Sequence, residues 1–282
     1  MTQPPSLPGV THDYVDAGGL RTHVALAGPL DAPPLLLVHG WPEHWWGWRE
    51  VIGPVAERHR VICPDLRGHG WTDAPRDGYE KEQLAGDLLA LLDAMGIDRV
   101  TWAGYDWGGW TGLLAALRAP ERFERLVAMS IPHLWARRPD PRVVAVLLSY
   151  QVPVSTPGLG SLLVRRGFVA RLLRASRVRG RFTDAELATY DDVHRARPHV
   201  SVAMYRTLLL RETPALLRGR YAGQRLEVPT TLLLGERDAI TRGLRAGPVE
   251  GQPMLTVEVV EGVGHWLPEE APEAVLAAIT RA

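Results

Sequence analysis

Four apolar runs in this chain each stop at a glycine or a reactive side chain. They are "PPLLLVHG" (33–40), "RVICPDLRGHG" (60–70), "RVTWAGYDWGG" (99–109) and "VPTTLLLGERD" (228–238). Short continuous apolar runs, unlike alternating ones, are what strands covered on both faces require. Stretches with helical spacing separate them. In "KEQLAGDLLALLDAMG" (81–96), Leu84, Leu88, Leu91, Leu92 and Met95 share one face and Gly96 closes the helix. "WREVIGPVAERH" (48–59) reads as a further helix despite Gly53 and Pro54, and "ERLVAMSIPH" and "LTVEVVEGVGH" as further strands. Ahead of them, "HDYVDA" and "LRTHVALA" flank Gly18 and Gly19 as a hairpin. Strand–helix alternation of this kind predicts an α/β fold built on a mostly parallel, doubly wound sheet.

The alternation breaks at about residue 134. From there to 222 the chain is rich in leucine and arginine and helical in pattern, with no convincing strand. The expected organisation is therefore a core domain of residues 1–133 and 223–282 and an inserted helical cap of residues 134–222. A chain of 282 residues is long enough for one large core plus such an insertion.

Composition removes several classes of function. The formal net charge is zero, so nothing global draws the chain to nucleic acid or an anionic membrane. The single cysteine, Cys63, excludes an internal disulfide framework and sits in a strand-like run as a buried thiol. The first residues carry neither a basic segment nor an apolar one, and no apolar run reaches the roughly 20 residues of a membrane span. A cytoplasmic enzyme, monomeric or homodimeric, is expected. His44, His69, His133, His194 and His199 show no metal-ligand spacing, so neither a metal nor any other cofactor is implied.

In an open parallel sheet, ligands bind at the carboxyl ends of the strands. Here those ends carry "HGWPE" (39–43), "GYDWGG" (104–109), "GERDA" (235–239) and "GVGHW" (262–266). Asp106 lies between glycines at a strand-to-helix junction, where α/β-hydrolases hold a nucleophile on a sharp turn. Asp238 and His265 follow in the chain order nucleophile, acid, base of those enzymes. A carboxylate is ionised at neutral pH and needs no activating base. It can attack a saturated carbon to form an alkyl ester, which water can cleave at its carbonyl. A serine would leave an ether.

"HGWPEHWWGWR", "PDLRGHGWTDAP", "GYDWGG", "LLGERD" and "GHWLPEEAP" resemble, in order, the blocks of the epoxide hydrolase branch of the α/β-hydrolase superfamily. "SYQVPVSTPG" and "AMYRTLL" resemble the cap segments that bear its two ring-opening tyrosines. The resemblance implies an α/β-hydrolase fold and the opening of a small apolar epoxide to a vicinal diol by water. It implies Asp106 as nucleophile, His265 as base, Asp238 as its orienting acid, and Tyr150 and Tyr205 as proton donors to the epoxide oxygen. The backbone N–H groups of Trp41 and Trp107 would form the oxyanion hole. Trp107, Gln151 and Trp266 would touch substrate, and Pro42 would follow a cis bond as in the family.

The leaving group stays open at this point. A haloalkane dehalogenase would use the same three catalytic residues, with indole N–H donors for the halide. Trp107 supplies one such donor; for the second, position 41 is Trp where one dehalogenase group has Asn, and Trp135 is the only cap tryptophan. A non-catalytic ligand-binding relative is the third reading. Trp45, Trp46 and Trp48 are expected to wall the pocket or pin their loop, and His39 to orient the oxyanion loop. Glu43 is expected to be structural. Arg165, Arg166, Arg171, Arg174, Arg177, Arg179 and Arg181 read as a solvated helix face.

Overall fold

The computed structural model describes residues 3–135, 141–241 and 243–281. Its strands are β1 Thr11–Ala17, β2 Leu20–Ala27, β3 Pro34–Val38, β4 Arg60–Pro64, β5 Val100–Tyr105, β6 Phe123–Met129, β7 Thr230–Gly235, β8 Gly247–Val249 and β9 Gln252–Val260. They form one sheet in the order β1-β2-β4-β3-β5-β6-β7-β9-β8. From β4 to β9 every pairing is parallel. The apolar runs account for this: Leu35, Leu36, Leu37 and Val38 of β3 are all buried, as are Val61, Ile62 and Cys63 of β4. Both faces are covered, which parallel sheets require.

The antiparallel pairs lie at the edges. β1 and β2 form the expected hairpin, with Ala17 opposite Leu20 and positive φ angles at Gly18 and Gly19. β1 is mostly exposed, as a largely polar edge strand can be. The three-residue β8, which pairs antiparallel to β9, has no counterpart in the expected element order.

In chain order the helices are α1 Arg49–Ala56, α2 Lys81–Ala94, α3 Trp107–Arg118, α4 Pro141–Ser155, α5 Leu159–Arg165, α6 Phe168–Ser176, α7 Asp184–Ala196, α8 Pro198–Thr207, α9 Thr213–Leu217, α10 Leu267–Glu270 and α11 Pro272–Thr280. α4 to α9 all fall between β6 and β7. Local chemistry sets their ends. Thr183 and Glu186 form a reciprocal capping box at the start of α7. Pro198 opens α8 and stops α7 before it, because the residue ahead of a proline is disfavoured in helical conformation. After α8 the chain widens into one π-helical turn, Leu208–Glu212, before α9. Such turns are frequent at functional sites.

One expectation needs correction. Most of the arginine run is exposed, but the Arg177 side chain is only 11% exposed. It donates to the Glu269 carbonyl at 3.0 Å and stacks over Phe182, because the chain past Ser176 turns inward against α10.

Strand order decides where the reactive loops meet. β3 lies beside β5, so the loop after β3 faces the turn after β5. Glycines permit the approach. A Cβ on Gly108 would lie 2.2 Å from the Val38 carbonyl oxygen, and one on Gly104 would lie 2.4 Å from that of Gly108. Gly108→Ala should therefore lower stability by about 1–3 kcal/mol, the range for overpacking. Urea unfolding monitored by circular dichroism measures it, and unchanged stability would show that β3 and α3 can move apart.

Candidate active site

Asp106 is the junction between β5 and α3, with φ +50° and ψ −123°. A non-glycine residue holds that conformation only where its surroundings over-determine it. Here they do. The Asp106 N–H donates to the Met129 carbonyl of β6, and the Asp106 carbonyl accepts from Trp110 in the first turn of α3. A Cβ on Gly40 would fall 2.3 Å from the Asp106 Cβ, so the loop after β3 presses directly on the side chain.

That loop supplies one backbone donor: the Trp41 N–H donates to Asp106 Oδ2 at 2.9 Å. The Trp107 N–H, expected as the second, makes no hydrogen bond to the carboxylate among the described residues. The Trp41–Pro42 bond is cis. His39 orients the loop from the core side, with Nδ1 donating to the Gly40 carbonyl at 2.9 Å and Nε2 accepting from the Leu66 N–H at 2.9 Å. Burial lowers the pKa of this imidazole and so favours the neutral tautomer that both bonds need.

His265 reaches the site from beyond β9, three strands away from β5. Two buried groups shape its loop. The Ser130 hydroxyl donates to the His265 carbonyl at 2.6 Å. The Glu270 carboxylate accepts from the N–H groups of Gly264, Trp266, Val178 and Arg179. His265 Nδ1 donates to Asp238 Oδ2 at 3.1 Å, and Nε2 lies 3.7 Å from Asp106 Oδ1. Asp238 is fixed in turn by the Ile240 N–H at 2.8 Å and the Thr241 hydroxyl at 3.1 Å. Burial opposes a charge on His265. The carboxylates of Asp238 and Asp106 outweigh it and hold the imidazole pKa well above its ordinary value.

From the helices between β6 and β7, Tyr150 on α4 and Tyr205 on α8 meet beside Trp41, whose N–H bonds Asp106, and within electrostatic reach of that carboxylate. Their rings cross at 5.7 Å and 88°. Tyr205 also stands edge-on to Trp41 at 4.8 Å and to Trp107 at 5.7 Å, while Tyr150 stacks parallel to Trp41 at 6.3 Å. Burial pushes the Tyr150 hydroxyl up to about 12 and raises that of Tyr205 well above its ordinary value. Both stay protonated at neutral pH. Gln151 donates through Nε2 to the Tyr150 hydroxyl at 3.3 Å, which makes it a neighbour of the tyrosine. Trp266 packs edge-on to His265 at 4.7 Å and gives its indole N–H to Ser176. Among the described residues, no cluster of three or more His, Cys, Asp or Glu side chains is placed to hold a metal ion.

The chain matches the α/β-hydrolase fold family over residues 33–272. It belongs to that family. It is 29% identical to AB hydrolase superfamily protein YfhM of Bacillus subtilis (strain 168), over 95% of this chain and 96% of that protein. It is also 29% identical to a soluble epoxide hydrolase of Corynebacterium sp. (strain C12), over 95% of each. The solved structure of the epoxide hydrolase CorEH without ligand aligns with a TM-score of 0.81 at 29% identity, over 95% of this chain and 96% of that one.

Within this α/β-hydrolase, other members of the tryptophan-rich loop have separate tasks. Trp45 and Trp48 are fully buried and pin the loop, whereas Trp46 is half-buried with Arg49 over its ring. Glu43 is buried and accepts from the Tyr105 hydroxyl, and burial pushes its carboxyl well above the usual range. No helix among the described residues is long and apolar enough to cross a membrane.

Lys81 is the only lysine in the chain, and its sequence context signals no function. It is fully buried, with Nζ 3.5 Å from the centre of the Trp107 ring and 2.5 Å from Glu212 Oε2 in the π-helical turn. Its rarity was the available signal, but only the fold reveals the partner. Burial lowers its pKa, and Glu212 works against that shift. Removing one partner of a buried pair leaves an uncompensated charge and costs about 3–5 kcal/mol, whereas replacing both with apolar groups is often neutral. Glu212→Leu should therefore destabilise by about that amount, and Lys81→Met added to it should restore most of the loss. Thermal unfolding of the two variants tests this; equal stability would mean that water already reaches the ammonium.

Proposed function

We propose that this protein is an epoxide hydrolase, with residues 134–222 as its cap and Asp106, His265, Asp238, Tyr150 and Tyr205 as its catalytic residues. One observation carries the reading: two protonated tyrosines meet within electrostatic reach of an aspartate held on a strained strand-to-helix turn. Such a pair suits a leaving group that departs as an alkoxide on the same molecule and has to be protonated there.

Asp106 Oδ2 is engaged by the Trp41 N–H, so Oδ1 is the oxygen free to attack a ring carbon. The C–O bond of the epoxide breaks as the ester forms, and Tyr150 and Tyr205 supply the proton for the alkoxide. In the free site the carboxylates of Asp238 and Asp106 favour the charged form of His265. Ester formation removes the Asp106 charge, which weakens the hold on that proton; it passes to the tyrosinate left by ring opening, and the neutral imidazole becomes a base. Water then gives a proton to His265 and adds to the Asp106 carbonyl carbon. Negative charge develops on Oδ2, where the Trp41 N–H meets it. Collapse releases the diol, with His265 returning a proton to the departing oxygen. Trp107, Gln151 and Trp266 line the same proposed site; small apolar epoxides suit its aromatic walls.

A dehalogenase fits less well. The indole N–H of Trp41, the side-chain donor of the oxyanion loop, is committed to Ser201 at 3.0 Å, which leaves Trp107 to hold a halide alone. The epoxide hydrolase names among the relatives of similar length support the same choice.

Two measurements test the reading. In a single turnover with styrene oxide in heavy-oxygen water, the label should enter the Asp106 carboxylate and not the diol. Label in the first-turnover diol would mean that water attacks the epoxide directly. Separately, Tyr150→Phe combined with Tyr205→Phe should lower epoxide turnover by about 10²–10⁴-fold, the usual contribution of general acid catalysis. Wild-type bromide release from 1-bromoalkanes that survives this double change would favour the dehalogenase instead.

A further inference from the structure

Trp41 is joined to the cap through its side chain. Its indole Nε1 donates to Ser201 Oγ at 3.0 Å, Ser201 Oγ lies 3.2 Å from His194 Nδ1, and His194 Nε2 lies 2.8 Å from the Pro42 carbonyl oxygen. Trp41, Ser201 and His194 are all buried. An indole only donates and a carbonyl only accepts. With a neutral imidazole, one assignment then satisfies every group: Ser201 accepts from the indole and donates to Nδ1, while Nε2–H donates to Pro42. Burial favours that neutral form, lowering the His194 pKa to about 4. The result is a closed ring of hydrogen bonds running from the loop to α8, on to α7 and back to the loop.

The ring ends on the residue whose N–H bonds Asp106. His39 already holds the loop from the core side. The ring could therefore serve only to pack the cap, or it could set the position of the donor. The two roles differ in which half-reaction they touch. As Asp106 attacks, its carboxylate loses charge and the Trp41 hydrogen bond weakens. As water adds to the ester, charge grows on Oδ2 and the bond strengthens. Only a bond that strengthens toward the transition state accelerates a step.

We propose that Ser201 and His194 are positioning residues that hold the Trp41 N–H on Asp106 Oδ2 for hydrolysis of the ester, not for its formation. The proposal rests on the aspartyl-ester reading above. Ser201→Ala should slow hydrolysis about 10–100-fold, between a small displacement of a donor and its full loss. Ester formation should keep its rate. Alkylated enzyme then accumulates, and kcat and KM fall by the same factor while kcat/KM holds. General loosening of the cap would also displace Tyr150 and Tyr205, slow alkylation and lower kcat/KM.

The experiment follows styrene oxide by rapid-quench intact-protein mass and by steady-state kinetics. It compares the wild type with Ser201→Ala, Ser201→Thr, Trp41→Phe and the Trp41→Phe/Ser201→Ala double variant. Ser201→Thr, which keeps the hydroxyl, should keep kcat near that of the wild type. Trp41→Phe, which keeps the backbone N–H and an aromatic ring against Tyr150 and Tyr205 but loses the indole donor, should accumulate ester as Ser201→Ala does. The double variant should be no slower than the slower single. Retained alkylation in each variant is the control for folding. A Ser201→Ala enzyme whose kcat/KM falls with kcat, one that turns over like the wild type, or additive losses in the double variant would overturn the positioning role and leave the ester reading standing. A wild type that forms no ester on Asp106 would overturn both.

Discussion

The close approach of backbone at the end of β5 is the constraint on which the rest of the molecule turns. Asp106 sits at φ +50°, and the segments around it have almost no space for side chains. The first turn of α3 touches the end of β3 through Gly108, and Gly40 lies against the Asp106 Cβ. A sharp turn of this kind forces the carboxylate to project from the sheet. The neighbouring strand then places a backbone N–H 2.9 Å from one of its oxygens. Glycine provides contact that any other residue would block. The strain at one aspartate is held by the packing of two strands and a helix, which is how a folded protein keeps an unfavourable conformation.

A second theme is buried polar groups that join the helices between β6 and β7 to the sheet. Trp41, Ser201 and His194 close one ring of hydrogen bonds, and Lys81 with Glu212 makes an ion pair on the far side of Trp107. Ser201 and Glu212 flank Tyr205 along the chain, so the proposed acid is held between two polar anchors. A buried polar group without a partner costs far more than a bonded one returns. These contacts therefore specify one register of α8 over Asp106, where apolar packing alone would tolerate sliding.

Much of the layout was legible beforehand. Apolar runs without alternation meant strands covered on both faces, and glycine-bounded turns marked where the strands end. The chain order of Asp106, Asp238 and His265 pointed to one site because all parallel strands present the same end. Other features were not legible. Arg177 looked like its exposed neighbours, because no local signal says that the chain turns inward after Ser176. The edge strand β8 is three residues long, too short for any periodicity. Lys81 was conspicuous as the only lysine, yet its partner is 131 residues away.

The sequence alone determined most of the element types, the parallel core and which polar side chains stand at the strand ends, since these depend on local periodicity and on single residues. Tertiary structure decided which of those groups touch. It set the 3.1 Å and 3.7 Å contacts of His265, the crossing of Tyr150 and Tyr205, and the commitment of the Trp41 indole to Ser201. Those are distances between segments far apart in the chain. They follow from strand order and helix packing, in which many weak contacts act together and no short stretch of sequence holds the information.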